Sequence, residues 1–248
     1  MTIRFRAAAG VAMRVACALA ALPVVAASGD EAAPPPTQSE SKVEQPISQA
    51  ERLLFMSNHM ERVAPRRRLH YAFRRDGSLE PALTDTVDVD VLAADGATGR
   101  SVKVRFLSKG PGSASPSLPH VEGNPALLLY LEREIREMAR LTGGRPEYFQ
   151  RRIRNALAEH AQISEATVTL AGHRIAARRI EIAPYVDDPN RSRFEKFARR
   201  SYVFTLSDDV PGVLYSIETR LPATEDAGKA GAMLLDEKMD FRGEQRVD

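Results

Sequence analysis

The sequence predicts an α+β fold, in which a curved, half-barrel-like antiparallel sheet carries a central pair of amphipathic helices packed on it. Several short segments alternate apolar and polar residues with the twofold period of strands, and turn-forming residues join them in pairs. Two consecutive segments in the middle of the chain repeat apolar residues every three or four positions, as helices do. Because the strands come as hairpins before and after these helices, we expect an antiparallel sheet.

The first 27 residues read as a secretory signal peptide. Arg4, Arg6 and Arg14 supply the positive start, an apolar run covers residues 15–25, and small residues precede a cleavage point at Ser28. The apolar run is shorter than the roughly 20 residues that span a bilayer. We therefore expect an exported protein, with the periplasm as its location and no transmembrane segment in the mature chain.

Loss of this segment changes the charge and the thiol content of the chain. The whole chain has 35 basic and 33 acidic residues, a net charge of +2, and removing the three arginines turns this into −1. A nearly neutral chain has no overall field that attracts nucleic acid, and none is predicted as a partner. Cys17 is the only cysteine and leaves with the signal, so the mature chain cannot form an internal disulfide.

Four regions follow from composition. Residues 28–47 contain Pro34-Pro35-Pro36 among small polar residues and are predicted to be a disordered tether. Residues 48–222 alternate periodic segments and turns without a second linker, which is typical of a single domain. Residues 223–248 are predicted to be a tail, whose segment 232–241 either adds a terminal edge strand or stays loose.

The domain is predicted to begin with a helix. Ser48 and Glu51 have the spacing of a capping box, in which each side chain bonds to the other residue's backbone amide. Pro65 is predicted to end this helix. One of its faces would carry Leu53, Met56, Met60 and Val63.

Three strands are predicted next. Leu69, Tyr71 and Phe73 alternate with polar residues, and a hairpin follows with its loop near residues 95–97. Moving the loop centre by one position shifts the pairing by two residues and sets Asp88 against Lys103, but either register keeps one apolar and one charge-paired face. The first register pairs Val91 with Val102, Val89 with Val104, Asp90 with Lys103 and Asp88 with Arg105.

Two helices are predicted in the middle of the chain. Asn124 and Pro125 fit the N-cap and first position of a helix that ends at Gly143-Gly144. Its apolar stripe is Leu128, Leu131, Ile135 and Met138. Pro146 begins the second helix, which buries Phe149, Ile153 and Leu157.

Two further hairpins complete the predicted sheet. Residues 166–170 and 175–182 have strand character and are joined at Gly172. The segments around Phe204 and Tyr215 are joined by a turn whose Pro211-Gly212 centre suits a type II turn.

Motifs for metal, phosphate or nucleophilic chemistry are absent from the sequence. The five histidines lack paired ligand spacing, and no glycine-rich phosphate loop or nucleophile elbow occurs, so no cofactor and no metal are predicted. The chain is therefore more simply explained as a binding protein than as an enzyme. The enzymatic alternative is a hydrolase whose site assembles from loops, using His120 or the aspartates Asp187 and Asp208.

Two sets of residues are candidates for binding. An apolar ligand would be lined by alternating strand residues and by the stripe of the first central helix. An envelope protein could contact basic residues of the second central helix. These residues and the pairs Arg178-Arg179 and Arg199-Arg200 could meet an acidic partner or lipid headgroups, but a solvated helix and strand surface that includes Glu134 is the simpler interpretation. The predicted lining residues are Tyr71, Phe73, Val87, Val89, Val104, Phe106, Leu128, Leu131 and Ile135, and the predicted contact residues are Arg151, Arg152 and Arg154.

The order of elements resembles the periplasmic lipoprotein-carrier (LolA/LolB-like) families and other bacterial envelope proteins. The shared features are strands on both sides of a helical pair, a signal peptide, a mature chain without cysteine and the segment from Tyr202 to Gly212. The resemblance covers residues 69–221. It implies a half-open antiparallel sheet with a helical lid and leaves the cargo undecided. Carriers of these families use the cavity for acyl chains, without covalent chemistry. Three hypotheses follow: a lipid-binding or chaperone-like protein, an accessory subunit of an envelope complex, or the loop-assembled hydrolase.

Overall fold

A computed structural model describes residues 46–92, 100–108, 114–223 and 232–247. Within these ranges, nine strands form one open antiparallel sheet with helices packed on it, which confirms the predicted α+β class. The predicted signal peptide and nearly all of the predicted tether lie outside the described residues. No helix in the described ranges is long and apolar enough to cross a membrane.

The strand order is β4-β3-β2-β1-β9-β8-β7-β6-β5, and every neighbouring pair is antiparallel. The four strands that precede the central helices, β1 to β4, form one half of the sheet, and the four strands that follow them, β5 to β8, form the other half. Strand β9 lies between β1 and β8 and joins the two halves. The strands are β1 (Arg67–Asp76), β2 (Leu83–Val91), β3 (Arg100–Phe106), β4 (Ser117–Val121), β5 (Gln162–Leu170), β6 (His173–Ile182), β7 (Ser201–Leu206), β8 (Leu214–Pro222) and β9 (Met233–Arg246).

The prediction of an edge strand or a loose tail at the C-terminus is wrong. Strand β9 pairs with β1 on one side and with β8 on the other, so it lies at the centre of the sheet. Its Leu235, Met239 and Phe241 are buried and alternate with charged residues. The pattern is hard to recognise in the sequence because Glu237, at an inward position between Leu235 and Met239, breaks the apolar alternation.

The register of the first predicted hairpin is confirmed. Val89 lies opposite Val104, and Asp88 lies opposite Arg105, as in the first of the two predicted registers. The valines are buried, whereas Arg105 and Lys103 are exposed on the opposite face. The hairpin loop itself lies outside the described residues. Strand β4 was not predicted, because its residues follow a segment rich in glycine, proline and serine.

The first helix is shorter than predicted. Ser48 and Glu51 form the expected capping box, but α1 (Gln49–Glu51) continues only through a π-helical turn, Arg52–Met56. The chain becomes extended at Ser57. Met60 and Val63 are buried, but they lie in the turn segment after the helix and not in the helix itself. Met56 is 63% exposed and does not belong to the buried face.

The two central helices agree with the prediction. Helix α2 (Pro125–Thr142) is capped by Asn124, whose Oδ1 accepts a hydrogen bond from the Ala126 amide at 3.0 Å, and Gly143 ends it with φ 68°. Helix α3 (Pro146–Glu159) buries Phe149, Ile153 and Leu157, as predicted. Helix α2 contacts α3, β2 and β3, and α3 also contacts α1 and β6.

Candidate functional site

The inner face of β1, β2 and β3 is a continuous apolar surface. Tyr71 lies opposite Val87, which lies opposite Phe106, and Val89 lies opposite Val104. Each of these side chains, like that of Phe73, is at most 1% exposed. The twofold alternation thus brings all six predicted strand residues to one surface.

Helix α2 covers this surface. The guanidinium of Arg133 lies 5.2 Å from the centre of the Phe73 ring, and Asn124 Nδ2 donates to Tyr71 Oη at 2.9 Å. The predicted stripe is rotated relative to the helix surface that is buried. Leu131 is buried and Ile135 is half-buried, but Leu128 is 41% exposed because the buried surface passes through Leu127 and Tyr130 instead.

Four charged side chains lie between α2 and the sheet, and we call them the inner ion-pair cluster: Arg133, Glu134, Arg200 and Glu237. The guanidinium of Arg133 bonds to both carboxylate oxygens of Glu237, at 2.6 and 2.8 Å, and to Glu134 Oε1 at 2.7 Å. Arg200 donates to Glu134 Oε2. Arg200 and Glu134 are fully buried, so the interpretation of these two residues as solvated surface is wrong.

The cluster joins three parts of the fold. Arg133 and Glu134 come from α2, Glu237 comes from β9, and Arg200 lies directly before β7. Burial raises the pKa of Glu134 although Arg200 opposes the rise. For Glu237, burial raises the pKa, but the hydrogen bonds and charge of Arg133 together with the charge of Arg200 outweigh burial, so the pKa is lowered. Two cations and two anions compensate each other in a region with little solvent contact.

Polar aromatic and hydroxyl groups surround the cluster. Tyr130 Oη and Thr219 Oγ1 share a hydrogen bond of 2.8 Å, and Thr219 lies 3.4 Å from Glu134 Oε2. Tyr185 Oη, Tyr202 Oη and Arg200 Nε are buried and make no hydrogen bond of good geometry among the described residues, although the two tyrosine hydroxyls interact with each other. Burial raises the pKa of both tyrosines, which stay protonated as hydrogen-bond donors.

The cluster was not recognised in the sequence because its members are separated by up to 104 positions. The available signal was the inward position of Glu237 between Leu235 and Met239, together with two charges on the buried side of α2. A charge that faces a core implies a partner of opposite sign.

The N-terminus of α2 is anchored by a second polar junction, formed by His59, Tyr71, Asn124 and Gly212. The side-chain Nδ2 of Asn124 donates to Gly212 O at 2.8 Å, and the backbone N–H of Asn124 donates to His59 Nδ1 at 3.2 Å. His59 Nε2 lies 2.8 Å from Leu53 O, so the ring is neutral with its proton on Nε2. At Gly212, φ is 77° and an added Cβ would lie 2.6 Å from Leu69 Cδ1, so only glycine fits without distortion.

The three predicted contact arginines of α3 differ in their environments. Arg152 Nε forms an ion pair with Asp188 Oδ2 at 2.8 Å, but the two groups are not aligned for a hydrogen bond. Asp188 is buried. Arg151 is exposed, with its guanidinium 5.7 Å from the centre of the Tyr148 ring, and Arg154 is also exposed. Only Arg151 and Arg154 therefore present their charges at the surface.

The residues of the hydrolase alternative lie on separate elements. His120 is on β4, Asp187 is in the loop after β6, and Asp208 is in the turn after β7, where it pairs with Arg178 at 3.0 Å. The described part of the chain contains no group of three side chains that could hold a metal ion.

Two concavities open at the surface. One of about 200 Å³ is bordered by Arg62, Arg178 and Asp208, and another of about 430 Å³ is bordered by Arg105, Leu107 and Ser108. None of the nine predicted ligand residues lines either of them. The six strand residues of the apolar inner face are at most 1% exposed, so this face is closed in this conformation.

These features define a class of α+β protein in which an open antiparallel sheet has a helix-covered apolar inner face. No protein-family model matches the chain, and a search of curated proteins finds no match. Among solved structures, the chain is similar to the Mycobacterium tuberculosis lipoprotein LppX, with 14% identity, 73% of this chain and 89% of that chain covered, and a TM-score of 0.31. It is also similar to a LolA superfamily protein from Nitrosomonas europaea, with 10% identity, coverage of 80% and 94%, and a TM-score of 0.21.

Proposed function

We propose that this chain is a non-catalytic, exported binding protein of the periplasm that holds a lipid, an acyl chain or an apolar partner segment against the inner face of its sheet. The observation that carries the proposal is the surface of six buried strand residues, from Tyr71 to Phe106, beneath helix α2. Acyl chains are recognised by apolar area rather than by directed bonds. Such a surface provides that area once α2 moves.

Ligand entry requires displacement of α2, because the inner face is closed. The contact between α2 and the sheet is partly ionic, through Arg133 and Glu134. Burial of charges has a desolvation cost, which is recovered when the charges meet water again. Displacing α2 therefore costs less free energy than separating an apolar contact of equal area.

The polar groups beside the cluster suit a ligand with a hydrogen-bonding head group. Tyr185 Oη, Tyr202 Oη and Arg200 Nε are buried donors that make no hydrogen bond of good geometry among the described residues, although the two tyrosine hydroxyls interact with each other. Buried donors gain free energy when a ligand oxygen accepts from them. An acyl ester or a hydroxylated lipid combines such oxygens with an apolar chain.

Binding of the fluorescent probe 11-(dansylamino)undecanoic acid tests the proposal, since the chain has no tryptophan for intrinsic detection. We expect a blue-shifted, saturable signal and co-purified lipid in native mass spectrometry. Leu131→Gln should weaken probe binding about tenfold, a loss of about 1.4 kcal/mol. The matched variant Leu128→Gln changes an exposed residue of the same helix and should bind as the unsubstituted protein does.

Circular dichroism of both variants separates loss of binding from loss of fold. Absence of probe uptake together with a bare polypeptide mass contradicts the proposal. Equal weakening by the two variants contradicts it as well, because Leu131 is buried whereas Leu128 is exposed.

A second candidate function is that of an accessory subunit of an envelope complex. It is favoured by the exposed guanidinium groups of Arg151 and Arg154, three residues apart on one helix. Salt-sensitive co-purification of an envelope protein, lost in the variant Arg151→Ser/Arg154→Ser, tests it. Arg174→Ser, which removes an exposed arginine on β6, is the control. Arg152 is left unchanged because it pairs with Asp188.

A further inference from the structure

The two edges of the sheet are built differently. Strand β4 has five residues, contains Pro119 and has a positive φ of 51° at His120. Short length, proline and irregular backbone are the features with which proteins protect sheet edges from further pairing. The β4 edge is therefore a poor template for another strand.

Strand β5 has none of these protections. Its nine residues, Gln162 to Leu170, include no proline, glycine, lysine or arginine, and Glu165 is the single charged residue. Within the described parts of the chain, β5 pairs with β6 alone. Apart from Thr169 O, which accepts a hydrogen bond from Tyr215 Oη, the other side of β5 is therefore a row of backbone donors and acceptors without a partner among the described residues.

The side chains of β5 also favour an additional strand. Thr167 and Thr169 are exposed, and Ile163 and Val168 are only half-buried, so all four would lose contact with water beside a further strand. Residues of these types are common in sheets because they pack well on a pleated surface. The end of β5 is already fixed, since Tyr215 Oη donates to Thr169 O at 3.1 Å. Fixing the strand in advance reduces the entropy that pairing would cost.

We infer that β5 pairs with β5 of a second copy of this chain, antiparallel about a twofold axis at Ala166. This register pairs all nine residues, places Glu165 opposite Thr167 of the second copy, and keeps the two Glu165 side chains from facing each other. Centring on Glu165 instead would oppose two carboxylates, which is destabilising. Arg178, which lies opposite Glu165 on β6, adds a compensating charge within each copy.

A second copy fits this edge because the pattern is self-complementary. Ile163 would meet Thr169, and Ser164 would meet Val168, on each side of the axis. An isologous interface uses the same surface patch on both subunits, so every residue of the patch must be compatible with the residue that the axis places opposite it. Strand β5 meets this condition because its one charged residue, Glu165, lies away from the axis. The result is one sheet that continues across both copies.

A cysteine at the axis tests the register directly. In the full chain with Cys17→Ser, Ala166→Cys places two thiols opposite each other across the axis, within the separation that a disulfide bridges. We expect a disulfide-linked dimer on mild oxidation. Thr169→Cys is the matched control, because in this register Thr169 faces Ile163, and it should form no disulfide-linked dimer.

Analytical ultracentrifugation supplies the second measurement. The unsubstituted protein should show a concentration-dependent monomer–dimer equilibrium. Ala166→Lys would oppose two ammonium groups and should weaken dimerisation about tenfold or more, whereas Ala176→Lys, at an exposed position on β6, should not. A protein that stays monomeric at every concentration overturns the inference, as does a dimer that resists Ala166→Lys or cross-links through Thr169→Cys.

Discussion

The two faces of the sheet carry the same kind of interaction in opposite environments. On the inner face, Arg200 and Glu134 form an ion pair with no exposed side-chain surface. On the outer face, Arg68 and Asp90 form a two-pronged pair at 2.5 and 2.9 Å, with about a fifth of each side chain in contact with solvent. Geometry alone would rank the two pairs as equals, but burial makes their energetic consequences different.

The difference arises from solvation. A buried charge has lost its hydration, so it depends on its partner, and removing that partner is costly even where the intact pair adds little stability. A solvent-exposed charge recovers hydration when its partner is removed. The inner cluster therefore favours one position of α2 over shifted positions that would leave a charge buried without its partner, although the intact pairs add little to the free energy that holds the helix on the sheet. The outer pairs lie on a face in contact with water.

The largest expected effect is that of breaking the inner cluster. Glu134→Leu leaves Arg200 buried without its carboxylate partner and should lower the free energy of unfolding by about 3–5 kcal/mol. Urea denaturation followed by circular dichroism measures this loss. The double variant Glu134→Leu/Arg200→Leu removes both charges and should recover most of the stability. If the double variant is as unstable as the single one, burial of an unpaired charge is not the cause.

A smaller effect is expected from protonating a buried neutral group. Burial lowers the pKa of His59, outweighing the hydrogen bond with Leu53 O and the attraction of Asp208, both of which raise it. The unfolded chain therefore binds a proton at a higher pH than the folded chain does. The stability contributed by neutral His59 is present above about pH 6.5 and is lost as pH falls through the lower folded value.

Urea midpoints measured between about pH 5 and pH 8 check this expectation. The midpoint of the unsubstituted protein should fall toward pH 5, and the variant His59→Gln should remove part of this dependence. If the urea midpoint of the variant changes with pH as much as that of the unsubstituted protein, groups other than His59 produce the pH dependence.

The sequence predicts most of the secondary structure because local signals determine it. Asn124 and Pro125 mark the start of α2, Gly143 marks its end, and the valines of β2 and β3 predict a register that is confirmed. The position of β9 was missed because strand order depends on pairing between distant segments. The same applies to the candidate site, whose apolar half follows from alternation and whose ionic half requires knowing that residues 134, 200 and 237 meet.

The smallest expected effect is that of breaking an outer pair. Asp90→Asn removes the charge that faces Arg68, and we expect a loss of about 0.5 kcal/mol, because Arg68 stays hydrated. The loss should shrink in about 1 M salt, where charges are screened beyond about 3 Å. The same denaturation assay measures it, with Thr84→Ser, a change of an exposed residue on β2, as the control. A loss in the free energy of unfolding near that of Glu134→Leu would mean that burial does not explain the difference between the two ion pairs. Packing around Arg68 would then have to explain why Arg68 depends on Asp90.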